Sequence, residues 1–314
     1  SMPDDVQILH NALCLIASSP HSLIDVGNCG TAMRFLTAYC AQLEGQTTIL
    51  DGVERMHHRP IGQLVEAFRE IGADIEYLDE VGFPPLRIKG CILDKHKIVT
   101  INNPQSTQFV SALLLIGANV QTNSTSPYIT LTREMIEQYS LASSPYRLSP
   151  IALERDWSSA AFWYEYVALH GGEITLLGLS RDSLQGDKVI ADIFAHLGIY
   201  TTYTAEGAVI SSSPLHPTPY TLHHDFSACP DLYPAIALTC ERLGVELHAT
   251  GVESLPLKES DRLRAVAEHR TDADHRMAMA LLIAGYEVDD TACISKSYPQ
   301  FLEQFHRINT LKLQ

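Results

Sequence analysis

Cationic side chains recur at one kind of position in this sequence, next to the start of a predicted helix. They are Arg34, Arg59, Arg262, Arg276 and Lys296. The first turn of a helix carries unpaired backbone N–H groups and the positive end of the helix dipole, so it attracts anions. Cations crowded at such ends are favourable when an anion lies between them. The pattern therefore predicts a site for a small molecule with several negative charges.

Two of these cations belong to the charged segment Lys-Glu-Ser-Asp-Arg-Leu (258–263) and to Asp-His-Arg-Met-Ala-Met (274–279). Lys258 and Arg262 are four residues apart, so they share a face if the helix begins early. Asp274 is the predicted N-cap of the next helix and places Arg276 in its first turn. Each segment taken singly also fits an exposed, capped charge cluster.

Two further segments have the same character. Gly-Asn-Cys-Gly-Thr-Ala-Met-Arg (27–34) predicts a turn followed by a helix start rich in small residues. Arg59 precedes Pro60, which we predict to be the first residue of a helix. A plain turn and a solvated arginine are the alternatives for these two segments.

An internal repeat favours the anion site. Glycines seven residues apart bracket alternating, β-prone segments at Gly45–Gly52, Gly171–Gly178 and Gly244–Gly251. A helix pattern precedes each bracket, and a polar turn with an amphipathic helix follows it. Weaker copies begin at Ser106 and Asp274. Helix N-termini of equivalent units would gather on one face, together with their cations.

The repeat is incomplete at two places. Asp4–Leu15 reads as the second helix of a unit whose first half is absent, and strands expected between His269 and Asp274 are missing. We expect that residues are absent from this sequence before Ser1 and between His269 and Asp274. A genuinely shortened protein is the alternative.

Composition limits the classes of partner. The chain has 314 residues, 46% hydrophobic and 19% charged, which fits about two globular domains. A formal net charge of -15 argues against non-specific binding to nucleic acid or to an anionic membrane. The acidic start has no signal-peptide pattern, and no apolar run approaches the ~20 residues of a membrane helix. We therefore expect a cytoplasmic protein with neither nucleic acid nor membrane as partner.

Cysteine and histidine usage points the same way. Seven scattered cysteines include no C-x-x-C pair, and fourteen histidines include no H-E-x-x-H motif. We expect neither a disulfide framework nor a metal site, and a reducing cytoplasm as the compartment.

The charged segments resemble motifs of the 5-enolpyruvylshikimate-3-phosphate synthase family, the 3-phosphoshikimate 1-carboxyvinyltransferases. The resemblance runs in order along nearly the whole chain, at residues 27–34, 55–61, 106–109, 156–160, 230–231, 258–263, 274–279 and 293–299.

The resemblance implies an α/β fold of two globular domains built from repeated βαβαββ units, the enolpyruvyl transferase fold, with helix N-termini facing the interdomain cleft. We expect domains at 1–153, without the N-terminal part of its first repeat, and at 154–314. The implied reaction transfers the enolpyruvyl group of phosphoenolpyruvate to the 5-hydroxyl of shikimate 3-phosphate and releases phosphate. No cofactor and no metal are implied, and we expect a monomer.

Site residues follow by motif position. Phosphoenolpyruvate-binding positions correspond to Gly30, Arg59, Gln108, Arg262, Arg276 and Lys296. Positions that bind shikimate 3-phosphate correspond to Ser106, Thr107, Gln108, Thr125, Tyr128, Asp231 and Lys258. Thr125 stands where the family usually has a serine.

These residue types suit the chemistry. Guanidinium groups bind the carboxylate and phosphate of phosphoenolpyruvate in bidentate fashion. Asp231 is our candidate base for the 5-hydroxyl, and Glu259, Lys258 and Lys296 are candidates for delivering a proton to carbon 3. Two other readings stay open: the sister enolpyruvyl transferase acting on UDP-N-acetylglucosamine, and a non-catalytic anion-binding relative.

Overall fold

A computed structural model describes residues 2–142, 154–213 and 220–312 of the chain. The chain divides into two compact units, Met2–Leu148 and Ser149–Gln314, here called the first and the second unit. The domain boundary predicted between residues 153 and 154 borders residues 143–153, which lie outside the described residues, and it stays a proposal.

The first unit contains a complete βαβαββ motif. Its strands are β1 (His21–Asp25), β2 (Thr47–Asp51), β3 (Asp74–Tyr77), β4 (Leu86–Lys89), β5 (Ile98–Thr100) and β6 (Asn119–Gln121). Its helices are α1 (Asp4–Ser18), α2 (Gly30–Ala41), α3 (Glu54–His57), α4 (Gly62–Glu70), α5 (Thr107–Leu115) and α6 (Pro127–Ala142). One sheet has the order β1-β2-β4-β3, with β1 and β2 parallel and β4 antiparallel to both of its neighbours. Strands β5 and β6 form a second, parallel pair.

The second unit repeats these features. Its strands are β7 (Glu173–Leu177), β8 (Ile199–Tyr203), β9 (Gly207–Ser212), β10 (Thr221–Asp225) and β11 (Glu246–Thr250). Its helices are α7 (Trp157–His170), α8 (Ile190–Ala195), α9 (Tyr233–Leu243), α10 (Arg262–Glu268), α11 (His275–Ile283) and α12 (Phe301–Lys312). Strands β7, β9 and β8 form an antiparallel sheet in that order, and β10 pairs with β11 in parallel. The α/β class is confirmed.

The glycine brackets have a conformational cause. Gly45, Gly171 and Gly244 precede strands β2, β7 and β11 with φ of 78°, 70° and 70°, a left-handed region that favours glycine. Gly52 is required for a different reason, because a Cβ there would lie 2.5 Å from the backbone oxygen of Gly27. This close approach holds the end of β2 against the loop that follows β1.

Side-chain caps begin the helices that carry site residues. Cys29, Ser106 and Asp274 accept hydrogen bonds from the backbone N–H groups of Ala32, Gln108 and Arg276. The predicted N-cap role of Asp274 is confirmed. Each unit packs its helices and one face of its strands around its own apolar core. Phe68 and Phe109 lie in the core of the first unit, and Trp157 and Phe301 lie in that of the second.

Two local predictions are wrong. Helix α4 begins at Gly62 and not at Pro60, because Ile61 is the N-cap residue and its carbonyl accepts from Leu64 and Val65. Lys258 lies outside helix α10, in extended backbone after a short 3-10 helix at Leu255–Leu257.

Between His269 and Asp274 the described chain forms a turn, with positive φ at His269, Asp272 and Ala273. No described helix is long and apolar enough to cross a membrane.

Candidate active site

In the first unit, two arginines converge on the start of helix α2. Gly30 is the first residue of α2, and a Cβ at this position would lie 2.6 Å from Nη2 of Arg59 and would also contact Nη1 of Arg34. Arg59 donates through Nη1 to the backbone oxygen of Asn28 at 3.1 Å. The Arg59 guanidinium therefore lies at the start of α2, and not at the helix that follows it in sequence.

A chain of polar bonds joins this point to helix α5. Arg34 donates through Nη1 to Oε1 of Gln108 at 3.1 Å, and Nε2 of Gln108 donates to Oγ1 of Thr31 at 2.9 Å. The predicted residues Gly30, Arg59 and Gln108 are thus brought together within the first unit.

This arginine cluster (Arg34 and Arg59) is strongly positive. Arg59 is 5% exposed, and among the described residues no carboxylate lies within 4.0 Å of its guanidinium. Arg34 is 6% exposed and lies over the ring of Phe109, 5.6 Å from its centroid. The start of α2 adds the positive end of a helix dipole. Buried positive charge of this kind favours an anionic ligand.

The other predicted residues of the first unit mark the starts of helices α5 and α6. Ser106 caps α5 and Thr107 is its first residue. Thr125 is exposed just before α6, and Tyr128 is the half-buried second residue of α6. The two helices pack together, and a hydrogen bond of 2.7 Å joins Ser111 to Thr132.

In the second unit, one arginine holds three carboxylates. Arg262 is fully buried and donates to Asp274 through Nε at 2.8 Å, to Asp231 through Nη1 at 2.6 Å and to Glu259 through Nη2 at 3.0 Å. Ser260 also donates to Asp274, at 3.1 Å. Three segments therefore meet at Arg262: the turn between β10 and α9, which carries Asp231, the 258–263 segment, and the start of α11.

Three more cations join this group of side chains. We call it the carboxylate cluster, and its members are Asp231, Glu259, Asp274, Lys258, Arg262, Arg276 and Lys296. Nζ of Lys258 lies 3.2 Å from Oδ1 of Asp231, and Nη2 of Arg276 lies 3.1 Å from Oδ2 of the same carboxylate. Nζ of Lys296 lies 3.3 Å from Oε1 of Glu259. All six residues predicted for the second unit therefore meet. Lys258 and Arg262 do so without sharing a helical face, because both side chains reach Asp231.

The cations determine the charge of the carboxylates. Burial alone would raise the pKa of Asp231, but Arg276, Lys258 and Arg262 together hold it well below its usual range. The pKa of Asp274 is likewise lowered, because Arg262 outweighs the effect of burial. Both side chains are therefore carboxylates at neutral pH.

Sequence reasoning left two features unexplained. Asp274 was predicted as a cap alone, yet its buried carboxylate also holds Arg262. His275 is buried, and burial together with Arg276 lowers its pKa to about 3, so the ring is neutral beside the carboxylate cluster. Only the position of the two residues in the 274–279 motif could have indicated these roles. Among the described residues, no group of three or more His, Cys, Asp or Glu side chains is arranged so that it could hold a metal ion.

Comparisons with known proteins place the chain in a family. The family profile of EPSP synthase (3-phosphoshikimate 1-carboxyvinyltransferase) matches residues 5–270 and 266–305. The two stretches meet beside the position where the expected strands are missing. A 3-phosphoshikimate 1-carboxyvinyltransferase of Bacteroides fragilis is 35% identical, over 97% of this chain and 86% of that protein. One from Colwellia psychrerythraea is 30% identical, over 90% of this chain and 78% of that protein.

Solved structures agree on the fold. EPSP synthase from Acinetobacter baumannii matches with a TM-score of 0.64 at 21% identity, over 91% of this chain and 78% of that one. The enolpyruvyl transferase NikO from Streptomyces tendae matches with a TM-score of 0.54 at 13% identity, over 79% and 70%. The fold is therefore that of the enolpyruvyl transferases. Taken with the family profile and the sequence relatives, the chain belongs to the EPSP synthase family.

Proposed function

We propose that the chain transfers the enolpyruvyl group of phosphoenolpyruvate to the 5-hydroxyl of shikimate 3-phosphate and releases phosphate. This reaction belongs to the shikimate pathway, which leads to chorismate and the aromatic amino acids. The observation that carries the proposal is the carboxylate cluster, in which Asp231 lies between Lys258, Arg262 and Arg276. Such a cluster combines a base with cations that an anionic substrate can engage.

Phosphoenolpyruvate is proposed to bind Gly30, Arg59 and Gln108 of the first unit. The Arg59 guanidinium is buried and has no carboxylate partner among the described residues. Its positive charge is therefore fully available to attract a bound anion. The absence of a side chain at Gly30 lets both arginines approach the start of α2, and Gln108 accepts a hydrogen bond from Arg34.

The second unit is proposed to contribute Arg262, Arg276 and Lys296 to the same substrate. Each of these cations is paired with a carboxylate of the cluster. A phosphate or carboxylate group of the substrate replaces part of this pairing. Arg276 and Lys296 exchange their carboxylate partners for the substrate most readily, because Arg262 is fully buried. Arg262 therefore keeps most of its bonds to the cluster while substrate binds.

Shikimate 3-phosphate is proposed to bind a separate set of polar residues. These are Ser106, Thr107, Gln108, Thr125, Tyr128, Asp231 and Lys258. The placement of five of them at the starts of α5 and α6 supports the assignment, since helix N-termini favour a phosphate group.

The proposed acid–base roles follow from the same exchange. Asp231 is a weak base while three cations hold its pKa low. When the substrate anions draw Arg276 and Lys258 away, the pKa of Asp231 rises and the carboxylate can accept the proton of the 5-hydroxyl. Glu259, Lys258 and Lys296 form the proposed route for the proton that carbon 3 receives, and a lysine ammonium supplies it, directly or through Glu259 beside Lys296. A proton then leaves carbon 3 as phosphate departs, so the double bond re-forms and the donor recovers its proton.

A phosphate-release assay tests the proposal. Phosphoenolpyruvate is supplied with shikimate 3-phosphate, with UDP-N-acetylglucosamine, or alone. We expect phosphate only with shikimate 3-phosphate. Release with UDP-N-acetylglucosamine would instead indicate the sister transferase. Binding of both proposed substrates without any release would indicate a non-catalytic relative.

The remaining expectations stay part of the proposal. We propose a cytoplasmic monomer whose partners are these two small molecules. The net charge of -15 supports the exclusion of nucleic acid and anionic membranes. Sedimentation of the purified chain would test the monomer.

A further inference from the structure

Asp51, at the carboxyl end of strand β2, joins two segments that meet at Gly30. Its backbone oxygen accepts the N–H of Val26 at 2.9 Å, at the start of the loop that leads to Gly30. Its Oδ1 accepts the N–H of Gly52 at 2.7 Å and lies 2.7 Å from Nε2 of His57. His57 is the last residue of helix α3, which leads to Arg59.

Helix α3 has only four residues, and a single turn is marginal without tertiary contacts. Contacts with the rest of the unit hold it in place, and two of them come from Met56 and His57. Met56 is buried at 1% exposure, and the ring of His57 bonds to Asp51. The carbonyl of Met56 accepts the N–H of Arg59 at 3.0 Å, so the orientation of α3 is passed directly to Arg59.

The Arg59 guanidinium tolerates little displacement. It is bonded to Asn28 at 3.1 Å and passes so close to Gly30 that no side chain fits there. A shift of α3 changes both contacts, and small misplacements of a substrate-binding group have large kinetic effects.

We infer that His57 is a positioning residue for Arg59, acting through its bond to Asp51. The inference rests on the proposed function, in which Arg59 binds phosphoenolpyruvate. The neighbouring His58 offers a natural contrast. Its side chain is 60% exposed, and its Nε2 lies 3.2 Å from Glu54, within the same short helix, so it does not tie α3 to the sheet.

The test compares His57→Ala with His57→Gln and uses His58→Ala as the matched control. Loss of the bond to Asp51 in His57→Ala should raise the KM for phosphoenolpyruvate about three- to tenfold, while kcat and the KM for shikimate 3-phosphate change less. The amide of His57→Gln can donate from nearly the same position, so it should restore most of the affinity. His58→Ala should match the wild type.

A second pair of variants tests the route through Asp51. Asp51→Ala should raise the same KM, and the double variant with His57→Ala should be no worse than the stronger single variant. All assays are run below the melting temperature of the least stable variant.

The outcomes separate the two claims. Suppose that the wild-type chain turns over and that His57→Ala and His58→Ala have the same KM for phosphoenolpyruvate. This result would overturn the positioning role and leave the proposed function intact. Strictly additive effects of the substitutions at residues 51 and 57 on that KM would do the same. An equal loss in His57→Ala and His57→Gln would also overturn it. A wild-type chain that releases no phosphate would overturn the proposed function, and the role of His57 with it.

Discussion

Replacing Gly30 by alanine should weaken phosphoenolpyruvate binding without unfolding the protein. A Cβ at residue 30 would lie 2.6 Å from Nη2 and 2.8 Å from Cζ of Arg59, and it would also meet Nη1 of Arg34. The backbone of Gly30 is outside the left-handed region, and the residue begins helix α2. The added methyl group therefore strains the two arginines and not the chain.

The size of the effect follows from the geometry. An ordinary contact begins at 3.4 Å, so the Arg59 guanidinium must move by about 0.8 Å, the difference between 3.4 and 2.6 Å. Such a shift disrupts roughly one charge-assisted hydrogen bond to the substrate, worth about 1.5–3 kcal/mol. This loss corresponds to a rise of about tenfold to 100-fold in the KM for phosphoenolpyruvate.

The assay measures this KM at saturating shikimate 3-phosphate, together with the melting temperature. Gly62→Ala is the matched control, because Gly62 also begins a helix but its added Cβ would approach other atoms no closer than 3.4 Å. Gly62→Ala should keep or slightly raise the melting temperature, since alanine is favoured over glycine in helices by about 0.5–1 kcal/mol. Gly30→Ala should lower it modestly while the protein stays folded, because its Cβ displaces two buried arginines. A Gly30→Ala variant with the KM of Gly62→Ala would refute the placement of the arginine cluster.

Three further predictions concern the second unit. Arg276→Lys keeps the charge but loses the planar guanidinium, so calorimetry should show phosphoenolpyruvate affinity falling at least about tenfold and shikimate 3-phosphate affinity changing less; equal affinity for phosphoenolpyruvate would exclude the role. Asp231→Asn should lower kcat by about 10²–10⁴-fold, and near-normal turnover would shift the base to Glu259. Glu165 is fully buried with both carboxylate oxygens unbonded, and burial raises its pKa well above the ordinary value. The folded state therefore holds a proton that the unfolded state loses, and the free energy of unfolding should fall as the pH rises above about 4.5. Denaturant titrations of Glu165→Gln should lack this decline, whereas Glu173→Gln, on an exposed residue, should retain it.

The repeat could be predicted from the sequence because its signals are local. Glycines with positive φ, such as Gly171 and Gly244, are needed at the turns before the strands, whatever the rest of the fold. The N-cap of Asp274 is equally local, since it bonds to the N–H two residues later. Each of these features depends on a few neighbouring residues, so it can be recognised from a short segment of the sequence.

The geometry of the site could not be predicted in the same way. Arg59 was predicted to lie next to the start of the helix that follows it, but its guanidinium crosses to Asn28, 31 residues earlier in the chain. Arg262 reaches Asp231, also 31 residues away, and Asp274, 12 residues away. Motif matching indicated that Arg262 and Asp231 act in one site. The three-carboxylate environment of Arg262 depends on packing between elements, which no local pattern specifies.

The most direct test of the enolpyruvyl transfer is to follow phosphorus during a single turnover. Equal amounts of enzyme, phosphoenolpyruvate and shikimate 3-phosphate are mixed, and the ³¹P NMR spectrum is recorded over time. We predict that the phosphoenolpyruvate signal is replaced by inorganic phosphate, while the second phosphate ester stays covalently bound and shifts to that of the 5-enolpyruvyl product. A spectrum in which both substrates bind but the phosphoenolpyruvate signal persists would contradict the account.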